Sequence, residues 1–243
     1  MPHLAEELSA LATALEPSPE DLRLAEHALK DTVAVSLAAR GLRMARLAAE
    51  LPEAARWAAV GHVLDCYAMQ RPIGAVRVRL AERTIDPSEV VRILVRTPEA
   101  AVHPLIHARP RTGLQGKFSL EYAVAAALHV HHPGFVSYTD EHVRRTLAQR
   151  LVELVEIVKT PEGSGLLTGE TAVEITTADG TVRGTTLALP PGSPELPATE
   201  AEFATKLADC GAEVPDLLNG IDWKGAAALM RASFPAARIE ENA

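Results

Sequence analysis

The sequence predicts an α+β fold in which helical segments at both ends of the chain flank an inserted α+β unit. Apolar residues recur at helical spacing through much of residues 1–84. The period changes to alternation in IDPSEVVRILVRT (85–97), and helical spacing returns after the proline-rich stretch LPPGSPELP (189–197). We therefore divide the 243 residues into a first helical part (1–84), an α+β domain (85–192) and a helical return (193–243).

The first predicted helix lies in SPEDLRLAEHALKDTVAVSLAARG (18–41). Ser18 suits the N-cap, Pro19 suits the first turn, and Gly41 is expected to end the helix. The residues repeating at helical spacing are Leu22, Ala25, Leu29, Val33 and Leu37. The segments LRMARLAAELPEAARWAAV (42–60) and GAVRVRLAERT (74–84) also predict helix, although Gly74 weakens the start of the second.

The α+β domain begins where Val91, Ile93 and Val95 alternate with polar neighbours, which is typical of a half-buried strand. GKFSLEYAVAAALHV (116–130) returns to helical spacing, and LAQRLVELVEIVKT (147–160) predicts a helix that passes into a strand. AVEITTADGTVRGTTLAL (172–189) predicts a hairpin with the Asp179-Gly180 pair at its turn.

The helical return begins after the proline-rich stretch, which continues neither a helix nor a strand. Thr199 and Glu202 have the spacing of a capping box, and Gly211 is expected to end the helix that they start. DWKGAAALMRASF (222–234) predicts one further short helix.

Composition and charge exclude several classes of protein. The chain is 47% apolar, so it can bury a core, and its Ala-rich helices favour packing over long contacts and therefore oligomerisation. A net charge of -8 gives no basic field for nucleic acid or an anionic membrane, so we expect the partner to be a small molecule or another protein. The start of the chain has no basic segment, and no apolar run reaches membrane-spanning length, which predicts a cytoplasmic protein. Cys66 and Cys210 lie far apart without a zinc-site spacing, and we expect both to be reduced.

One short stretch, GHVLDCYAMQRP (61–72), concentrates chemically useful side chains. His62, Asp65 and Arg71 suit a base, its orienting carboxylate and a clamp for a substrate carboxylate. The i, i+3 spacing of His62 and Asp65 equally fits a surface pair on a helix. Tyr67 suits a proton donor, or equally a packed ring with its hydroxyl at the surface.

A second concentration, VHPLIHARPRTGLQGKF (102–118), follows the predicted strand as a loop, where site residues are common. Its histidines and cations suit an anionic substrate, or equally a solvated loop that balances local charge. The residues concerned are His103, His107, Arg109, Arg111 and Lys117. We expect no metal site at His129, His131 and His132, because no carboxylate lies at ligand spacing.

Several segments, taken in order, resemble the MmgE/PrpD family, which includes 2-methylcitrate dehydratase, cis-aconitate decarboxylase and iminodisuccinate epimerase. The strip 61–72 is similar to the family's "HALDFDDT…HP" segment, and GKFSLEYAVAAAL is similar to its "KFSl.Y..A.al" helix. The other similar segments are AEHALKDTVAVSLAARG, IDPSEVVRILVRTP and SPELPATEAEFATKLAD.

This resemblance implies a helical domain built from both chain ends, an α+β lid, a homodimer, and an active site in the cleft between helical domain and lid. It implies proton removal beside a carboxylate, followed by loss of water, loss of carbon dioxide or reprotonation. The chain is shorter than the family norm, because RLAERT passes almost directly to the lid strand. Asp65 keeps the first acid of the family strip. The positions that depart from the strip are Tyr67, Ala68, Met69 and Arg71.

Other family positions are altered or missing. The lysine and histidine of the later "K.[FY]P..H" motif have no counterpart, and the tyrosine that looks catalytic in the decarboxylase falls near Val102 or His103. Lys117 stands where the family keeps its "KFS" sequence, which favours a structural role at the start of the lid helix.

We therefore hypothesise a lyase or isomerase that needs no cofactor or metal. Asp65 and His62 are the candidate bases and Tyr67 the candidate acid. The candidate carbonyl and anion contacts are His103, Arg71, His107, Arg111 and Lys117. The substrate is a small carboxylate or a larger specialised metabolite, and the reaction is elimination, isomerisation or cyclisation. The alternative is a non-catalytic scaffold that binds a ligand or pairs with a separate subunit.

Overall fold

The computed structural model describes residues 14, 16–39, 67–82, 84–130, 133–161, 168–193 and 195–233. The predicted helix over 42–60, Gly41, His62, Asp65, Cys66, His131 and His132 lie outside these residues. The side chain of Tyr67 lies outside them as well. Among the helices described, none is long and apolar enough to cross a membrane.

The described elements follow the predicted order of helices, then strands and helices, then helices again. The helices are α1 (Pro19–Ala39), α2 (Gln70–Glu82), α3 (Glu99–Val102), α4 (Gly113–Gly116), α5 (Leu120–Val130), α6 (Asp140–Val143), α7 (Thr146–Glu153), α8 (Glu200–Asp209), α9 (Val214–Leu217) and α10 (Trp223–Ser233). The strands are β1 (Val90–Pro98), β2 (Val155–Thr160), β3 (Thr171–Thr177) and β4 (Val182–Leu187). Short 3₁₀ turns cover 67–69, 87–89 and 135–138. The α+β class predicted from the sequence is thus confirmed.

The four strands form one mixed sheet in the order β2-β1-β3-β4. β1 pairs with β2 in parallel, and this pairing needs the long helical crossover of α3 to α7. β1 pairs with β3, and β3 with β4, in antiparallel fashion. The predicted hairpin is confirmed, and Gly180 at its turn has a φ of 82°, which favours glycine.

The two faces of the sheet differ in polarity. Ile93 lies between Val155 and Ile175 on the buried face. The other face carries ion pairs from β1 to its neighbours, among them Arg92 with Glu156 at 2.6 Å. The expectation that Val91 is buried was wrong, because the β1–β3 register shifts between Val90 and Arg92 and leaves Val91 exposed.

One hydrophobic core lies between the sheet and the helices α2, α5 and α7. α5 is buried from Leu120 to Leu128, which explains why its sequence is apolar on nearly every side. α2 packs on α5, β3 and β4, although the division of the sequence assigns it to the first helical part.

A second hydrophobic core joins the two ends of the described chain. Val33 and Leu37 of α1 pack with Phe203 and Leu207 of α8 and with Met230 of α10. The returning C-terminal helices therefore lie against the first helix, as the resemblance implied. The boundaries at residues 84 and 192 stay predictions.

Local signals predicted the starts of α1 and α8 correctly. The Ser18 hydroxyl accepts from the Asp21 N–H at the start of α1, and Thr199 forms the expected capping box with Glu202. α2 begins at Gln70, four residues before the predicted start. Gly74 is needed inside this helix because a Cβ there would lie 2.5 Å from Pro191 Cγ.

Candidate functional site

A cavity of about 580 Å³ lies between the two hydrophobic cores. Helices α1 and α8 form one side, and α2, Lys117, residues 133–138 and the Pro191–Gly192 loop form the other. The lining residues are Leu24, His27, Ala28, Asp31, Val35, Gln70, Ile73, Gly74, Arg77, Lys117, Pro133, Gly134, Phe135, Tyr138, Pro191, Gly192, Ala198, Glu202, Phe203, Thr205, Lys206 and Asp209.

Helix α1 presents one continuous stripe to the cavity. The stripe contains Leu24, His27, Ala28, Asp31 and Val35, which share a face because they are separated by three, one, three and four residues. This stripe begins a turn after the N-cap and runs toward the buried end of α1. One helix thus supplies both an imidazole and a carboxylate to the cavity.

His27 is held in place from two directions. Its ring stacks on Phe203 of α8, with centroids 4.2 Å apart and planes inclined by 11°. Its Nε2 lies 3.3 Å from an exposed carboxylate oxygen of Glu200. The imidazole is therefore packed on one face and partnered at one nitrogen, and its side chain keeps 17% exposure.

Helix α8 makes two ion pairs on the cavity wall, from residues one turn apart. Lys206 Nζ lies 2.6 Å from Asp31 Oδ1 on α1. Arg77 Nη2, on α2, donates to Glu202 Oε1 at 2.9 Å. Because α1 and α8 share the helical core and α2 belongs to the sheet core, the Arg77–Glu202 pair connects the two cores, whereas the Lys206–Asp31 pair joins α1 and α8 within the helical core.

The Glu202 carboxylate serves two purposes. While Oε1 accepts from Arg77, Oε2 accepts from the Thr199 N–H and the Thr199 hydroxyl, each at 2.9 Å. The Thr199 N–H and the nearby Arg77 charge lower the pKa of Glu202, so this group stays an anion at neutral pH. It is suited to holding Arg77 and unsuited to donating a proton.

The turn at 133–138 closes another part of the wall. The Asp209 carboxylate accepts from the Phe135 N–H at 2.9 Å, and Gly134 lies so close that a Cβ would collide with that carboxylate. The Tyr138 ring meets Tyr122 edge-on at a centroid distance of 5.7 Å. The turn is therefore fixed against both α8 and α5.

The predicted site residues lie in different parts of the structure. Among those that the structure describes, Lys117 alone lines the cavity. Arg71 is 2% exposed, and its Nη1 donates to the backbone carbonyls of Gly169 and Thr168, the latter at 3.3 Å. Burial lowers the pKa of Arg71. This guanidinium holds the segment that enters β3.

The other predicted loop residues also lie away from the cavity wall. His103 is exposed after α3, and the backbone N–H of His107 donates to the Phe118 carbonyl at 3.2 Å. Arg111 is exposed, and its carbonyl accepts from Arg144 Nε at 2.7 Å. Arg109 donates to the Val152 carbonyl at 2.9 Å.

Sequence reasoning missed most of the charged cavity residues. His27, Asp31 and Arg77 lie inside predicted helices to which the sequence assigns no site role, and the sequence indicates only a capping role for Glu202. One feature of the sequence could have indicated the cavity. His27 and Asp31, one turn apart, interrupt the apolar stripe of α1 between Leu24 and Val35.

The arrangement suits proton transfer beside an anionic group. Imidazole is the side chain that most often serves as a general base, and the imidazole of His27 lines the same cavity as the cations Arg77, Lys117 and Lys206. Among the described residues no group of three or more His, Cys, Asp or Glu side chains is placed to hold a metal ion.

The fold and the cavity define a class of protein with a helical part, a mixed-sheet part and a ligand-sized cleft between them. The model of the MmgE/PrpD C-terminal domain matches residues 65–217, which run from the polar strip to the end of α9. The chain belongs to the MmgE/PrpD family, which includes dehydratases and other lyases. No curated protein matches the chain.

Proposed function

We propose that the protein is a cofactor-independent lyase or isomerase that removes a proton next to a substrate carboxylate by general acid–base chemistry. The observation that carries the proposal is the convergence of His27, Arg77 and Lys117 on one cavity in a member of a lyase-type family. We further propose that it acts in the cytoplasm as a homodimer.

His27 is the proposed base. Imidazole accepts a proton near neutral pH, and stacking on Phe203 fixes the plane of the ring. Glu200 near Nε2 favours the tautomer in which that nitrogen carries the proton, leaving Nδ1 to act on the substrate.

Arg77 and Lys117 are the proposed electrophilic groups. Removal of a proton beside a carboxylate places negative charge on the carboxylate oxygens, and fixed cations in a cleft stabilise that charge. Glu202, at the start of α8, accepts a hydrogen bond from Arg77 and so keeps the guanidinium on the cavity wall.

The polar strip 61–72 remains part of the proposal. Gln70, which belongs to the strip, and Ile73, which directly follows it, line the cavity from the first turns of α2. We therefore keep Asp65, His62 and Tyr67 as candidates for the second proton transfer, which decides between elimination, isomerisation and cyclisation.

Deuterium exchange tests the proton removal without knowledge of the later step. The purified protein is incubated in D₂O with citrate, 2-methylcitrate, cis-aconitate, 3-hydroxyhexanoate and 3-hydroxyoctanoate, and exchange at the carbon beside the carboxylate is followed by proton NMR. We expect exchange of at least one acid. Lys117→Met is expected to slow it by about 100-fold, the scale of a lost electrostatic contact.

Lys224→Met is the matched control, because Lys224 is an exposed lysine of α10 that does not line the cavity. Its exchange rate should equal that of the unchanged protein. If no acid exchanges, or if both lysine variants behave alike, the proposed chemistry is wrong.

A ligand-binding role without turnover is the second candidate. It is favoured by the Arg77–Glu202 and Lys206–Asp31 pairs, in which cavity charges brace the structure. Saturable binding of an acid with no exchange at any pH from 5 to 9 would support this role over catalysis.

A further inference from the structure

The cavity is longer than a small organic acid requires. Its stripe on α1 runs from Leu24 to Val35, a length of about 16 Å at the helical rise of about 1.5 Å per residue. The volume of about 580 Å³ falls in the range of roughly 300–1,000 Å³ that is typical of sites for larger organic ligands. A molecule the size of citrate leaves much of this space unfilled.

The wall along this length is largely apolar. Apolar side chains come from every element around the cavity, so an apolar ligand body would be covered from several directions. The largest of these side chains are Leu24, Val35, Ile73, Phe135, Pro191 and Phe203.

The charges on the wall cancel. Among the lining residues that the structure describes, three cations face three carboxylates, and two of the cations make close ion pairs with two of those carboxylates. Because these charges cancel, each carboxylate of a ligand adds negative charge that the wall does not neutralise, and this cost is smallest for a ligand with a single carboxylate. The charged lining residues are Arg77, Lys117, Lys206, Asp31, Glu202 and Asp209.

From this length, polarity and charge balance we infer that the ligand of the cavity is a monocarboxylate with an extended apolar body. The inference rests on the proposed function, because it names the substrate class of the same cavity. It separates this chain from members of its family that act on compact acids with several carboxylates.

Unreactive acids test the inference by binding alone. Butanoate, hexanoate and octanoate are compared with succinate and tricarballylate by isothermal titration calorimetry. We expect affinity to rise about fourfold for each added methylene group, the gain of burying one CH₂. Tighter binding of succinate or tricarballylate than of octanoate, a flat dependence on length, or no binding at all would overturn the inference.

A pair of matched variants tests whether the gain in affinity with chain length arises in this cavity. Ala28 lines it, whereas Ala25, one turn earlier on α1, does not. Ala28→Leu fills part of the space and should weaken octanoate by about 15- to 60-fold while leaving butanoate within about twofold, since the added side chain replaces about two to three buried methylenes. Ala25→Leu should leave both unchanged. Equal octanoate affinity in the two variants would place the binding elsewhere and overturn the inference.

The two proposals fail in different ways. Length-dependent binding of monocarboxylates without deuterium exchange of any hydroxy acid supports the ligand class and contradicts catalysis. Exchange confined to citrate, 2-methylcitrate or cis-aconitate supports catalysis and overturns the ligand class.

Discussion

Arg77 and Glu202 lie 125 residues apart in the sequence, yet their side chains meet at 2.9 Å beside the cavity. The same carboxylate caps α8 through Thr199. The geometry of the helix cap is therefore coupled to the position of a cavity cation, and through it to the contact between the two hydrophobic cores.

The first prediction concerns the charge of Glu202. Glu202→Gln keeps an oxygen for the helix cap but removes the ion pair, and should lower the free energy of unfolding at pH 7 by about 0.5–1.5 kcal/mol. Because the folded state lowers the pKa of Glu202 below 4.5, its contribution is present above pH 4.5 and is lost as the pH falls through the folded value.

Urea denaturation of both proteins at pH 7, 5, 4 and 3 measures this difference. It should shrink steadily below pH 4.5. Glu153→Gln, at an exposed site near the end of α7, is the control and should show little difference at any pH. A Glu202→Gln effect that stays constant across the series would contradict the assignment.

The second prediction concerns the close approach of Gly74 to Pro191. Gly74→Ala should destabilise the fold by about 1–3 kcal/mol by overpacking, although alanine favours a helix over glycine by about 1 kcal/mol. In a Pro191→Ala background the same change should be neutral or stabilising, because the clashing ring atoms are gone. Thermal unfolding of the original protein, the two single variants and the double variant gives the coupling free energy between residues 74 and 191. Equal penalties in both backgrounds would argue against the contact.

The sequence predicted those features that depend on neighbouring residues. The Ser18 cap, the Asp179-Gly180 turn and the Thr199–Glu202 box each rest on a side chain or a backbone angle within a few residues. The sequence did not predict the register shift between Val90 and Arg92 that exposes Val91. This shift is set by the pairing of β1 with β3, some 80 residues later in the chain.

The cavity was much harder to predict, because its residues meet only through tertiary packing. His27 and Lys206 are each unremarkable on a helix surface, and nothing local indicates that α1 and α8 lie side by side. Lys117 was found because a cation-rich loop after a strand commonly carries site residues. The guanidinium of Arg71 favours a carboxylate contact by its chemistry alone, but its burial depends on carbonyls nearly 100 residues away in the chain.

The third prediction separates a structural Arg71 from a substrate-binding one. Arg71→Met removes a buried guanidinium that donates to the carbonyls of Gly169 and Thr168, and should cost about 2–4 kcal/mol of stability. Arg71→Lys keeps the charge but loses the planar fork, so its loss should be intermediate. Chemical denaturation checks both values. Unchanged stability with weakened ligand binding would instead support the role predicted from the sequence.

The fourth prediction uses the buried hydroxyl of Tyr122, which donates to the Ser137 carbonyl. Burial raises the pKa of Tyr122 from 10.0 to about 12. Its contribution to stability is therefore full below pH 10 and is lost as the pH rises through about 12. An absorbance titration at alkaline pH should show one late tyrosine, absent from Tyr122→Phe. That variant should also lose about 1–2 kcal/mol of stability at pH 7. A titration in which every tyrosine ionises near pH 10 would contradict this environment.

The last prediction separates the two roles of His27, packing and proton transfer. His27→Phe keeps an aromatic ring against Phe203, so its free energy of unfolding should stay within about 1 kcal/mol of the original. Deuterium exchange should nevertheless fall by about 100-fold or more, since no proton acceptor remains at this position. His142→Gln changes a histidine of α6 that does not line the cavity and should leave exchange intact. Retained exchange in a stable His27→Phe protein would remove His27 as the base and leave His62 and Asp65 as the groups to substitute next. A loss of both folding and exchange would instead show that the imidazole is required for packing. Glu200→Gln would then test the proton-transfer role, because it perturbs the ring only through Nε2. Its readout is the pH profile of deuterium exchange.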